Sequence, residues 1–191
     1  MISSAAKERA AQEMAYCENI LAKSGSGVLL RILPAQGLKT WKHYPEKDVY
    51  DHATGAQWYY HCHDDAERQG EHGHFHCFVR PDGPESSPCH LIAISVDARG
   101  KLRRLFTVNQ WVVGDQWYDA ERTNGYLERF NIELADPDFL VNRWLTAVVT
   151  QYEAEIIRLN LERDSYVESL GRDISDVGSD RNIEILSALK L

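Results

Sequence analysis

Tyr59–Arg80, YYHCHDDAERQGEHGHFHCFVR, decides how this chain is read. It holds His61, His63, His72, His74 and His76 at alternating positions on two short segments, separated by the turn-rich DDAERQGE. Side chains two apart share a face of a strand. Read as an antiparallel hairpin, the segments can place all five imidazoles on one side. Cys62, Phe75, Cys77 and Val79 then fall together on the other. A one-residue slip would exchange the faces, so burial of the apolar side selects this register. Facing residues have Cβ atoms roughly 5 Å apart, close enough for neighbouring imidazoles to converge on one ion. Cys62 and Cys77 could be cross-strand neighbours, but buried thiols are the simpler reading of all four cysteines.

Outward from the hairpin, His90–Val96 and Lys101–Val108 read as a second hairpin around the turn Asp97–Gly100. Val28–Leu33 reads as a strand on the N-terminal side. Residues 4–23 read as a helix capped by Ser4, with an apolar stripe of Ala10, Met14, Cys17 and Leu21. From Asn109 the pattern becomes irregular and helical, broken by Gly114 and Asn124-Gly125. A long helix is expected from Asp136, as cap, to about Leu170, with Leu140, Trp144, Val148, Tyr152, Ile156 and Leu159 on its buried face. Arg181–Leu191 reads as a short amphipathic tail suited to docking or dimerisation. The expectation is a single α+β domain over 1–191: N-terminal helix 1–27, antiparallel β core 28–108 (a small barrel or cupin-like), helical region 109–191.

The chain has 191 residues and a formal charge of −8. That balance argues against a nucleic-acid partner, because neutralising phosphates needs a basic face. No apolar run is long enough to span a bilayer, and MISSAAKERAAQEMAY is not a secretory signal. A cytoplasmic location follows as the expectation, with a small-molecule substrate as partner and a homo-oligomer or protein contact through the C-terminal helices.

All eight histidines lie between His43 and His90. Imidazoles with nearby carboxylates suit a divalent transition metal, here iron, manganese or zinc. Haem on a histidine among Trp58, Tyr59, Phe78 and Trp111 is the lesser alternative, since no CxxCH motif is present. His61, His63 and His74 are the central ligand candidates, and His72 or His76 completes the set according to register. Glu71 or a spare histidine is the candidate acid/base group. His43, Asp48, Asp51 and His52 are candidates for outer partners of the ligands, set against a plain role in holding turns. Trp111 and Trp117 either line a pocket beside the metal or pack a helix on the sheet.

Gly55–Glu67 reads G-x5-H-x-H-x3-E and resembles the first cupin motif, which implies His61, His63 and Glu67 as ligands inside a barrel. The second cupin motif is absent, so a histidine from 72–76 must supply the remaining ligand. HYPEKDVYD, WYYHCH, EHGHFH and NQWVVGDQW together resemble a bacterial family of uncharacterised proteins. That resemblance implies that the histidine stretch is a family trait and attaches no activity to it. A metal-dependent enzyme is the leading expectation. A non-catalytic metal storage, sensing or delivery protein, or a structural partner with a metal-stapled hairpin, stands beside it.

Overall fold

A computed structural model describes residues 1–34, 37–63 and 70–191. Its centre is a six-stranded antiparallel sheet in the order β1 to β6. The strands are β1 (Tyr44–Tyr50), β2 (Ala56–His61), β3 (Gly73–Val79), β4 (Cys89–Val96), β5 (Leu102–Val108) and β6 (Ile185–Lys190). The α+β expectation and both predicted hairpins are present. The sheet is open rather than closed, however: β1 and β6 are its edges, so it is not a cupin barrel. Pro45, which cannot donate to a ladder, sits on edge strand β1, and the β1–β2 register shifts between Tyr44 and Val49.

One face of the sheet makes the main core. Trp58, Tyr60, Phe75, Cys77, Ile92, Ile94 and Leu105 pack with Cys17 and Leu21 of α1 (Ser4–Lys23) and Trp144, Leu145 and Val148 from a C-terminal helix. The cap of α1 is Ser3, whose hydroxyl accepts from the Ala6 N–H, one residue earlier than expected. Arg143 holds Glu13 of α1 through two hydrogen bonds of 2.7 and 2.9 Å, and the Trp144 indole donates to Glu18 at 2.9 Å. Trp58 buries its indole N–H against Asn142 at 2.9 Å. These paired polar groups fix how the helical layer sits on the sheet.

Four expectations are corrected here. Val28–Leu33 forms turns, with the Ile32 and Leu33 N–H groups both donating to the Leu29 carbonyl. Val28, Leu29 and Ile32 are still buried, through a helical spacing that apolar content alone does not separate from a strand. The long C-terminal helix is two: α4 (Phe139–Gln151) and α5 (Glu153–Ser169), meeting at Tyr152. Thr150 back-bonds to the Thr146 carbonyl in the last turn before the break, a contact that bends helices. The cap of α4 is Asp138, which accepts from Leu140 and Val141, two residues later than expected. The C-terminal tail is β6, a strand paired with β5, and Ser187 ties it to Thr107 and to the Leu159 carbonyl. Between β5 and α4 lie α2 (Gln110–Val113), α3 (Ala120–Gly125) and a 3-10 turn at Leu127–Arg129; α6 (Ile174–Ser179) precedes β6.

All four cysteines are buried. Cys77 lies opposite Trp58 in the ladder, so Cys62 is not its cross-strand neighbour.

Candidate metal centre

The second face of the sheet carries the histidines. In the β2–β3 ladder His61 lies opposite His74 and Tyr59 opposite His76, the expected register. His63 follows two residues beyond the end of β2. Ala93 and Ser95 of β4, then Phe106 and Arg104 of β5, continue the same face. Phe106 stands edge-on to the His74 ring, with 5.0 Å between centroids.

The imidazoles converge on their Nε2 atoms. His61 Nε2 is 2.7 Å from His74 Nε2, 3.2 Å from His76 Nε2 and 3.2 Å from His63 Nε2. His61, His74 and His76 are buried and offer three ring nitrogens within 4.8 Å of one another. One Nε2 carries either one proton or one lone pair, so it cannot form three good hydrogen bonds at once. A cation facing the lone pairs satisfies every ring together. Tetrahedral zinc–imidazole bonds of about 2.0–2.1 Å put ligand nitrogens about 3.3 Å apart, close to the 2.7–3.2 Å spacings found here, so the cluster could hold an ion after a few tenths of an ångström of opening. Burial pushes His61 down to about 3, with the neighbouring His63 and His43 adding to the effect. Burial likewise drives His74 and His76 well below the ordinary imidazole range. The rings are therefore neutral near pH 7, the form that ligates a metal.

His90 is the residue that sequence reasoning missed. By strict alternation it shares a face with Ile92 and Ile94, which are core residues. The β3–β4 register shifts between Cys77 and Phe78, so His90 pairs with Phe78 and joins the histidine face. Its Nε2 lies 3.1 Å from His76 Nδ1. Burial pushes His90 down to about 3, with the Arg163 charge adding to it. Its backbone N–H donates to the Asp115 carboxylate at 3.2 Å, and burial raises that carboxyl to about 7.

The rim is aromatic. Trp41 lies over His63, with ring centroids 4.1 Å apart, and its backbone N–H donates to the Cys62 carbonyl. Trp41 has φ 66°, a left-handed conformation unusual for a bulky residue, and remains 61% exposed. His43 stacks flat on Tyr59 at 3.6 Å and bonds Asp48 through Nδ1; Asp48 also accepts from Gln57.

The other candidates separate by position. His72 is not in the cluster: its Nδ1 is 2.6 Å from the Tyr60 hydroxyl, on the opposite face of the sheet. Glu71 forms an ion pair with Arg104 at 2.8 Å, and the Arg104 guanidinium lies over Phe106 at 4.4 Å. As a proton carrier Glu71 would first have to leave that guanidinium. Glu67 lies outside the described residues. Asp51 holds the β1–β2 turn by accepting from Ala53 and reaches the Glu133 N–H, while the exposed His52 meets the Tyr50 ring. Of the four outer candidates, His43 and Asp48 reach the rim, and Asp51 and His52 hold or decorate a turn. Trp111 donates to the Ile183 carbonyl, and Trp117 packs on the Val167, Val177 and Leu186 cluster. The packing reading fits both tryptophans.

Among the described residues, no helix is long and apolar enough to cross a membrane. No curated protein and no solved structure matches this chain. Residues 8–191 match the family described as "Domain of unknown function (DUF6969)", and the histidine sheet is therefore the centre of a member of that uncharacterised family.

Proposed function

We propose that the protein is a metalloenzyme built on one divalent transition metal, held by His61, His74 and His76 with His63 beside them. The observation that carries this reading is the meeting of His74, His76 and His63 on a single atom, His61 Nε2. Zinc, iron(II) and manganese stay as the candidates; a purely nitrogen set favours zinc or iron over manganese, which prefers oxygen donors. Three rings come from rigid, hydrogen-bonded strands, and the fourth comes from a partly exposed residue beyond β2. The position toward His63 and Trp41 is thus where water or a small-molecule substrate would enter.

A closed structural centre is the second reading. It is favoured by His63 Nε2 lying near enough to His61 to complete a four-nitrogen set. Burial of the three strand histidines weighs against a delivery protein, which exchanges its cargo at the surface.

Elemental analysis of untagged protein tests the metal, with His61→Ala/His74→Ala as comparison. About one equivalent per chain in the wild type and none in the folded double variant is expected. Stoichiometric metal in the double variant would overturn the centre. Electronic spectra of the cobalt form then separate the two readings. An added anion that shifts the ligand-field bands marks an open position, and unchanged bands mark a closed one.

A further inference from the structure

We propose that His90 is a positioning residue for His76: it accepts the His76 Nδ1 proton and so holds the ring with its Nε2 lone pair aimed at the metal. The inference rests on the metal reading above and names a residue outside the ligand set. Three observations carry it. The His76 ring is engaged at both nitrogens, Nε2 at 3.2 Å from His61 and Nδ1 at 3.1 Å from His90. Both residues are buried, His76 at 0% and His90 at 5% exposure, so bulk water does not compete for the contact. The β3–β4 register shift brings His90 onto this face, where regular alternation would have sent it into the apolar core.

The proton count fixes the direction. A metal on His76 Nε2 leaves the proton of the neutral ring on Nδ1, so Nδ1 donates. His90 Nε2 must then accept, which places the His90 proton on Nδ1. Around His90 the sheet is arranged to hold that ring still. Phe78 packs on it with centroids 5.1 Å apart, and Asp115 anchors its backbone N–H. Metal-bound histidines generally need such an acceptor, and losing it weakens metal binding while leaving the ligands in place.

The test compares wild type, His90→Leu, His90→Gln and His52→Gln, with zinc and cobalt affinities measured by competition against a chromogenic chelator. Circular dichroism checks each fold. His90→Leu should bind about 10–100-fold more weakly and shift the cobalt ligand-field bands. The glutamine amide oxygen can accept in place of Nε2, so His90→Gln should recover most of the affinity. His52→Gln removes an exposed imidazole at a turn, away from the cluster, and should bind as wild type does. His90→Leu binding as tightly as wild type, or His90→Gln as weakly as His90→Leu, would overturn the proposal. If His90→Leu does not fold, long-range proton–nitrogen NMR of zinc-loaded wild type decides: a protonated His76 Nδ1 facing a bare His90 Nε2 is required, and the opposite tautomer refutes it. A wild type that takes up neither metal would overturn the metal reading itself, and this proposal with it. Tight binding indifferent to position 90 overturns only the proposal.

Discussion

Lowering the pH from 7 to 5 should destabilise the metal-free protein for a reason located in four rings. Histidine in an unfolded chain titrates near pH 6.5. In the fold, burial holds His61 and His90 down to about 3, and His74 and His76 well below 6.5. The unfolded chain therefore binds more protons across this window. The stability from neutral histidines is complete above pH 6.5 and is lost as pH falls toward 3. For His61 and for His90 the step from pH 7 to 5 costs about 2 kcal/mol each. His61 and His90 together give about 4 kcal/mol, and His74 and His76 act in the same direction. Asp115 works the other way. Its carboxyl, raised to about 7, keeps a proton that the unfolded chain releases, and it returns about 2 kcal/mol over the same step. From the groups at about 3 and about 7 alone the net loss is about 2 kcal/mol, to which His74 and His76 add, against a typical domain stability of about 5–15 kcal/mol. Urea unfolding with chelator present at pH 7, 6 and 5, with the slope m checked for constancy, measures it. His61→Gln/His90→Gln should flatten the profile. A wild-type loss below about 1 kcal/mol, or a gain, would refute the claim that these rings stay neutral in the fold.

Three substitutions probe the rest of the site. Glu71→Gln leaves Arg104 without its counter-charge at a side chain only 13% exposed, and should cost about 3 kcal/mol in urea unfolding with metal stoichiometry unchanged; loss of metal instead would move Glu71 into the centre. A Cβ at Gly73 would run into the Tyr60 hydroxyl and the His61 carbonyl, so Gly73→Ala should lose about 1–3 kcal/mol and loosen the β2–β3 pairing, seen as faster amide exchange at His61; wild-type exchange there would refute it. Ser95 Oγ lies buried opposite His74 with no hydrogen-bond partner among the described residues, so Ser95→Ala should leave stability unchanged or raise it by about 1 kcal/mol; a clear loss would mean that the hydroxyl has a partner.

What was legible follows the reach of alternation. His61, His63, His74 and His76 obey period two within one hairpin, and that pattern placed them together. His90 breaks the pattern because a register shift moves its parity, and no residue in CHLIAISV announces the shift. His72 stands one residue before β3, where the backbone at Gly73 passes beneath the Tyr60 phenol, and its ring goes to that phenol instead of the grid. The apolar stripe of α1 could be read directly, since Ala10, Cys17 and Leu21 keep helical spacing from end to end. β6 could not. Its short apolar segment becomes a strand only because β5 offers an unpaired edge, which is a tertiary fact.

The centre is assembled from a short arc of chain. His61, His63, His74 and His76 form two His-x-His pairs, one running from the last residue of β2 to two residues beyond it and one within β3. Such pairs can chelate even when the protein is denatured. Added metal would then lower the free energy of both ends of the folding reaction, and the rise in midpoint would understate the affinity of the native site. A modest thermal shift on adding zinc is therefore compatible with tight native binding. On the proposed metal reading, the same locality would let an ion be captured by the hairpin before the helices have packed, so metal present during refolding would act as a template as well as a ligand.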